Sequence, residues 1–148
     1  MLNTPAPSAA PLMAPFEWPV RVYWEDTDAG GIVFYANYLK FFERTRTEWL
    51  RARGIEQQRL RETENAMFVV SATELRYHRP ARLDDLLIVT AEVVEAGRAS
   101  LTIAQSARTD GPDGQRLCEG RIRIGWVDAL TLSPRRMPPT VLSALGLG

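Results

Sequence analysis

VRVYWEDTDAGGIVFYANYLKFFERTRTEWLRARGI, residues 20–55, reads as a strand, a sharp turn and a long helix in succession. From Trp18 to Trp24 the residues alternate, with Val20, Val22 and Trp24 on one side and Arg21, Tyr23 and Glu25 on the other, as a half-buried strand requires. Asp26-Thr27-Asp28-Ala29-Gly30-Gly31 breaks that strand, because short polar side chains bond their own backbone and glycine accepts angles closed to bulkier residues. Between about Ala36 and Arg53, Tyr38, Leu39, Phe41, Phe42, Trp49 and Leu50 recur at helical spacing. Gly54 follows, where a helix C-terminus is often closed.

The rest of the chain supplies a sheet for this helix. Ala66 to Arg79, Asp85 to Glu95, Arg98 to Thr109 and Gln115 to Asp128 each suit a strand. The last three are joined by Ala96-Gly97 and by Asp110-Gly111-Pro112-Asp113-Gly114, which carry hairpin-turn chemistry. The first of the four is longer than a usual strand, so a bend or bulge is expected near Ser71 or Ala72. Residues 55–65 suit a short helical or irregular connection, and Thr140 to Leu145 a short closing helix after Pro134 and Pro138-Pro139. The predicted class is α+β, a mostly antiparallel sheet of about five strands wrapped around one long central helix. This segregated order and the lack of a glycine-rich phosphate fingerprint argue against a parallel nucleotide-binding sheet.

Composition narrows the function. The 148 residues fit one domain, and 18 basic against 18 acidic side chains leave no electrostatic footprint for nucleic acid. Cys118 is the only cysteine, which excludes an internal disulfide framework and fits a reducing compartment. Residues 1–17 read as a disordered Ala/Pro-rich tail without the basic and apolar regions of a signal peptide, leaving 18–148 as the single domain. No apolar run approaches the roughly 20 residues that cross a bilayer, so the expectation is a cytoplasmic protein without membrane insertion.

His78 is the only histidine and falls at a predicted strand end, outside the turn, which disfavours Ser-His-Asp and Cys-His chemistry. One histidine and one cysteine also make a poor metal site, and no metal or cofactor is expected. Asp26 and Asp28 remain, and on spacing alone their plain role is to organise the turn and complement the helix dipole.

The whole run from Val20 to Ile55 resembles the opening of the hotdog-fold thioesterases, most closely the 4-hydroxybenzoyl-CoA thioesterase and Tol-Pal-associated groups. Their D-x-D-x-x-G-x-V pattern, aromatic residues and E-x-x-R are matched by Asp26, Asp28, Gly31, Val33, Phe34, Tyr35, Tyr38, Glu43 and Arg46. The segment Arg79-Pro80-Ala81-Arg82-Leu83-Asp84-Asp85-Leu86-Leu87 also looks like the family's entry into its next core strand. The resemblance implies hydrolysis of acyl-CoA, with Asp28 as nucleophile or general base, Asp26 as turn organiser and the backbone N–H near Tyr35 as oxyanion donor. Gly30 and Gly31 would leave room for the thioester, and Val33 and Tyr38 would border the substrate. Many Tol-Pal-associated members carry histidine where this chain has Tyr35, which leaves the acyl class open.

Arg79 and Arg82 are candidates for the coenzyme's phosphates, and so are Arg76, Arg121 and Arg123, although a solvated outer face explains them equally. Glu43 and Arg46, three apart, read as an exposed helical ion pair, and Phe41, Phe42 and Trp49 as core. Exposed sheet edges and the family likeness imply a homodimer or homotetramer with the site shared between subunits. Two rival functions stay open: a non-catalytic module binding acyl thioesters or an acyl-carrier protein, and a hotdog hydratase or dehydratase.

Overall fold

The computed structural model describes residues 14–147. Its first strand, β1 (Phe16–Arg21), starts two residues before the expected domain boundary and pairs antiparallel with β3 (Leu86–Ala96), Val20 opposite Leu87. An edge strand tolerates Pro19, which has no N–H to give the ladder. Of the expected tail, residues 1–13 lie outside the described residues. The alternation beyond Arg21 misleads. Val20 and Val22 are buried, but Trp24–Asp26 coil into a 3-10 turn, and Trp24 is 79 % exposed instead of sharing their face.

The remaining strands are β2 (Ala66–Tyr77), β4 (Ser100–Thr109) and β5 (Arg116–Asp128). All five pair antiparallel in the order β1-β3-β4-β5-β2, so β1 and β2 form the edges. In β2 the register with β5 shifts between Val70 and Ala72, where an over-long strand was expected to bend. The two predicted hairpins join β3 to β4 and β4 to β5.

The helix α1 (Tyr38–Ala52) follows a tight 3-10 turn over Tyr35–Asn37. It ends in a Schellman motif: Gly54 has φ 79°, its N–H reaches Arg51 O at 3.0 Å, and the Ile55 N–H reaches Leu50 O at 2.8 Å. Phe41, Phe42, Trp49 and Leu50 pack in one core with Leu87 and Val89 of β3, Leu101 and Ile103 of β4, and Ile122 and Ile124 of β5. Each buried phenylalanine contributes about 1.5–3 kcal/mol by leaving water. Two short helices complete the chain, α2 (Gln57–Glu64) before β2 and α3 (Pro139–Ala144) at the end.

Arg46 does not form the exposed pair with Glu43 that its spacing suggested. Its Nη1 donates to Gln105 Oε1 at 2.9 Å, and Glu43 instead accepts from Thr47 Oγ1 at 3.1 Å. Gln105, buried on β4, also donates to the carbonyls of Phe42 and Thr90, so its amide joins the helix to the sheet. Burial lowers the pKa of the Arg46 guanidinium, and the charge of Glu43 opposes that shift. On β5, burial and then the nearby Glu119 push the Cys118 thiol up to about 12. Among the described residues no helix is long and apolar enough to cross a membrane.

Candidate active site

The turn between β1 and α1 is organised by Asp26, only 2 % exposed. Its Oδ2 accepts the Tyr23 N–H at 2.8 Å, its Oδ1 accepts Asn37 Nδ2 at 2.9 Å, and its carbonyl accepts the Phe34 N–H at 3.1 Å. One residue thus fastens the outgoing chain, the returning chain and the helix entry. Between these anchors lies a small hairpin. Thr27 bridges Val33, the Asp28 N–H donates to Ile32 O at 2.9 Å, and the Gly31 N–H donates to Asp28 O at 3.0 Å. Gly31 has φ 77°, a left-handed angle that side chains resist.

Asp28 is exposed on this hairpin. Its Oδ1 accepts the Gly30 N–H at 2.8 Å, whereas Oδ2 has no hydrogen-bond partner among the described residues. The carboxylate is therefore held by one oxygen and free at the other. A Cβ at Gly30 would stand 3.3 Å from Asp28 Oδ1, so a side chain there would press on the group.

Tyr35 opens the 3-10 turn, where the first N–H groups of a helix lack internal acceptors. Its N–H finds none among the described residues, while its carbonyl accepts Tyr77 Oη at 2.8 Å. Burial raises the Tyr77 pKa, with smaller contributions from Cys118 and Tyr35, so the phenol stays protonated and able to donate. Around the hairpin, Trp24, Phe34, Tyr35 and Tyr77 leave an aromatic rim between 46 % and 79 % exposed.

Val33 and Tyr38, expected to border the substrate, are both buried in this chain. The Val33 N–H donates to Ala81 O at 2.8 Å, and Tyr38 Oη accepts the Ala81 N–H at 3.1 Å, so both brace the loop from behind. Arg82 is exposed beside the hairpin, its backbone bridging Ile32. Arg79, also exposed, follows the end of β2, where its N–H donates to Leu117 O at 3.2 Å. His78 Nε2 lies 3.4 Å from Glu119 Oε1, turned to β5 and paired with neither aspartate of the turn.

A family model described as thioesterase superfamily matches residues 30–114. The chain belongs to the thioesterase superfamily. Among its superfamily relatives is the acyl-CoA thioester hydrolase YbgC of Escherichia coli, 41 % identical over 128 residues that cover 86 % of this chain and 93 % of that protein. The acyl-CoA thioesterase YbgC of Haemophilus influenzae is 41 % identical over 129 residues, 87 % and 93 % of the two chains. Solved structures share the fold at low identity. A 1,4-dihydroxy-2-naphthoyl-CoA thioesterase from Synechocystis has TM-score 0.82 and 16 % identity over 90 % of this chain and 96 % of that one. A 4-hydroxybenzoyl CoA thioesterase complexed with 4-hydroxybenzoyl CoA has TM-score 0.82 and 17 % identity over 88 % and 98 %. The expected hotdog architecture is thus the fold of this chain.

The superfamily match opens at Gly30, so the hairpin tip falls inside it and Asp28 just before it. Sequence reasoning passed over two residues at this thioesterase turn. Asn37 lay inside the expected helix, and its bond reaches back eleven positions to Asp26. Tyr77 read only as a strand residue, since nothing local signals that its hydroxyl meets the helix entry.

Proposed function

We propose that the chain hydrolyses acyl-CoA thioesters to the free acid and CoA, with Asp28 as the reacting carboxylate and the Tyr35 N–H as oxyanion donor. Acyl-CoA hydrolysis is the activity of the named relatives that match most of this chain. The observation that carries the residue assignment is a pair of unused groups. Among the described residues Asp28 Oδ2 and the Tyr35 N–H both lack partners, and the Asp26 anchors tie the segments that bear them. An ionised carboxylate supplies attack, and an orphan helix N–H stabilises the charge that develops on the thioester oxygen.

Two routes use these groups. In one, Asp28 Oδ2 attacks the carbonyl carbon, the C–S bond breaks and the CoA thiolate leaves, and one water then hydrolyses the mixed anhydride, its released proton neutralising the thiolate. In the other, Asp28 removes a proton from water as that water attacks directly, the C–S bond breaks, and the proton passes to the departing CoA thiolate. Both consume one water and yield acid and thiol. A single turnover with enzyme in excess in heavy-oxygen water separates them, because only the anhydride route can label Asp28. Gly30 and Gly31 give the thioester room, and Arg79 and Arg82 are proposed partners for the coenzyme's phosphates.

The exposure of Asp28 in one chain fits a site completed by a second copy, and β2 is an open edge able to meet it. A homodimer or homotetramer in the cytoplasm, one domain per chain, is part of this reading. So are the Tol-Pal association and an acyl-carrier protein as alternative partner, which a pull-down on the full chain tests. A hydratase would ask for a histidine at the turn, and His78 is engaged with Glu119 instead.

Asp28→Asn keeps the shape and removes the charge. It is expected to lower kcat by at least about a hundredfold in a thiol-release assay, while Asp26→Asn costs less. Unchanged turnover in a folded Asp28→Asn protein would overturn the assignment, and acyl-CoA binding with no turnover in the wild type would favour a binding module.

A further inference from the structure

We propose that Asn37 is a positioning residue for this hydrolysis, acting through Asp26 to hold the Asp28 hairpin in register with the first turn of α1. The inference rests on the reading of Asp28 as the reacting carboxylate. Asn37 is 5 % exposed and Asp26 2 % exposed, so neither side chain offers itself to a substrate. Asn37 stands at the N-cap of α1, but its side chain makes no capping bond there. Its backbone is helical, φ −69° and ψ −22°, where alanine or leucine is the better residue, and burying an amide carries a desolvation cost. The only side-chain hydrogen bond of Asn37 among the described residues is the 2.9 Å bond to Asp26 Oδ1.

That bond has a geometric consequence. The hairpin is closed on itself by the Thr27–Val33 bridge and by the Asp28–Ile32 hydrogen bond, which fix its shape but not its angle to the helix. Ala81 ties Val33 to Tyr38 of α1 on one side, and Asp26 supplies the link on the other through two contacts, the Phe34 N–H on its carbonyl and the Asn37 amide on its carboxylate. The second reaches the residue immediately before α1. Residues 81–83 brace the hairpin from behind, but without the Asn37 bond Asp26 keeps only the Phe34 contact to the helix entry, and Asp28 Oδ2 can shift relative to the Tyr35 N–H. Displacements of about 1 Å between reacting groups cost about a hundredfold in rate.

The bond can be inverted, which gives a test by rescue. Asn37→Asp sets two carboxylates face to face and should lower kcat by about tenfold to a hundredfold, with KM changed by less than about threefold. Adding Asp26→Asn restores a complementary pair. The introduced amide at position 26 accepts the Tyr23 N–H through its oxygen and donates to the introduced carboxylate at 37. The exchanged protein should return to within about tenfold of wild-type kcat.

Asn37→Leu, folded by circular dichroism, should show the same kcat loss without that rescue. Wild-type kcat in folded Asn37→Leu would overturn the proposal. So would an exchanged pair that recovers thermal stability but not turnover. If Asn37→Leu does not fold, the exchanged pair decides alone. Asp28→Asn runs in parallel: retained turnover there sinks the reading of Asp28 itself, whereas lost turnover there with normal Asn37→Leu sinks only the positioning role.

Discussion

The two aspartates of the turn differ in what the fold leaves them to do. Every oxygen of the Asp26 carboxylate is engaged and its side chain is buried, whereas Asp28 is exposed with one oxygen free. Spacing alone could not separate them, since both sit where a carboxylate accepts backbone hydrogen bonds. Tyr77 adds a contact of the same scale, its hydroxyl on the Tyr35 carbonyl. Tyr77→Phe removes one neutral hydrogen bond of about 0.5–1.5 kcal/mol, so kcat/KM should fall by about threefold to tenfold with the fold intact. Steady-state kinetics with one acyl-CoA checks it, and an unchanged value would show that the helix entry holds its place unaided. Partners such as Asp26 and Asn37, or Arg46 and Gln105 fifty-nine residues apart, were not legible because each member alone looks like an ordinary loop or helix residue.

At the scale of elements, the readable features were those with local causes. Turn chemistry at Ala96-Gly97 and at residues 110–114 gave the two hairpins, excess length gave the bulge at Ser71, and Gly54 gave the helix end. Strand order was not readable. The α1–α2 excursion lets β2 cross to the far edge beside β5, a choice made by which faces the helix must cover. Trp24 failed for the opposite reason, since alternation continued by coincidence after the strand had ended.

The loop after β5 shows how one side chain sets a connection. Asp128 Oδ1 accepts the N–H groups of Leu130 and Thr131, both at 2.9 Å. Those bonds, that of Thr131 first, hold the Asp128 carboxyl below its ordinary pKa. A carboxyl depressed in the folded state stabilises it above the ordinary carboxylate range, and the gain is lost as pH falls through the depressed value. Asp128→Ala should therefore lower the urea midpoint most near neutral pH, and the gap to wild type should close in acid. A gap independent of pH would contradict this origin.

For the whole molecule, we propose that a second copy covers the apolar surface that the single chain leaves exposed beside its site. The aromatic rim is exposed and β2 is an open sheet edge, with Val70 51 % exposed. Sedimentation velocity at micromolar concentration should give a dimer or larger species. Val70→Arg should shift it toward monomer and depress turnover in step, and a fully active monomer would refute a shared site.

The placement of Cys118 gains meaning from the chemistry. Each cycle liberates a pantetheine sulfhydryl beside the protein, and oxidised coenzyme could trap an accessible cysteine as a mixed disulfide. Sealed in the sheet and kept protonated far above neutrality, the only cysteine of this chain offers no thiolate for that exchange. The catalyst is thereby shielded from the oxidised form of its product.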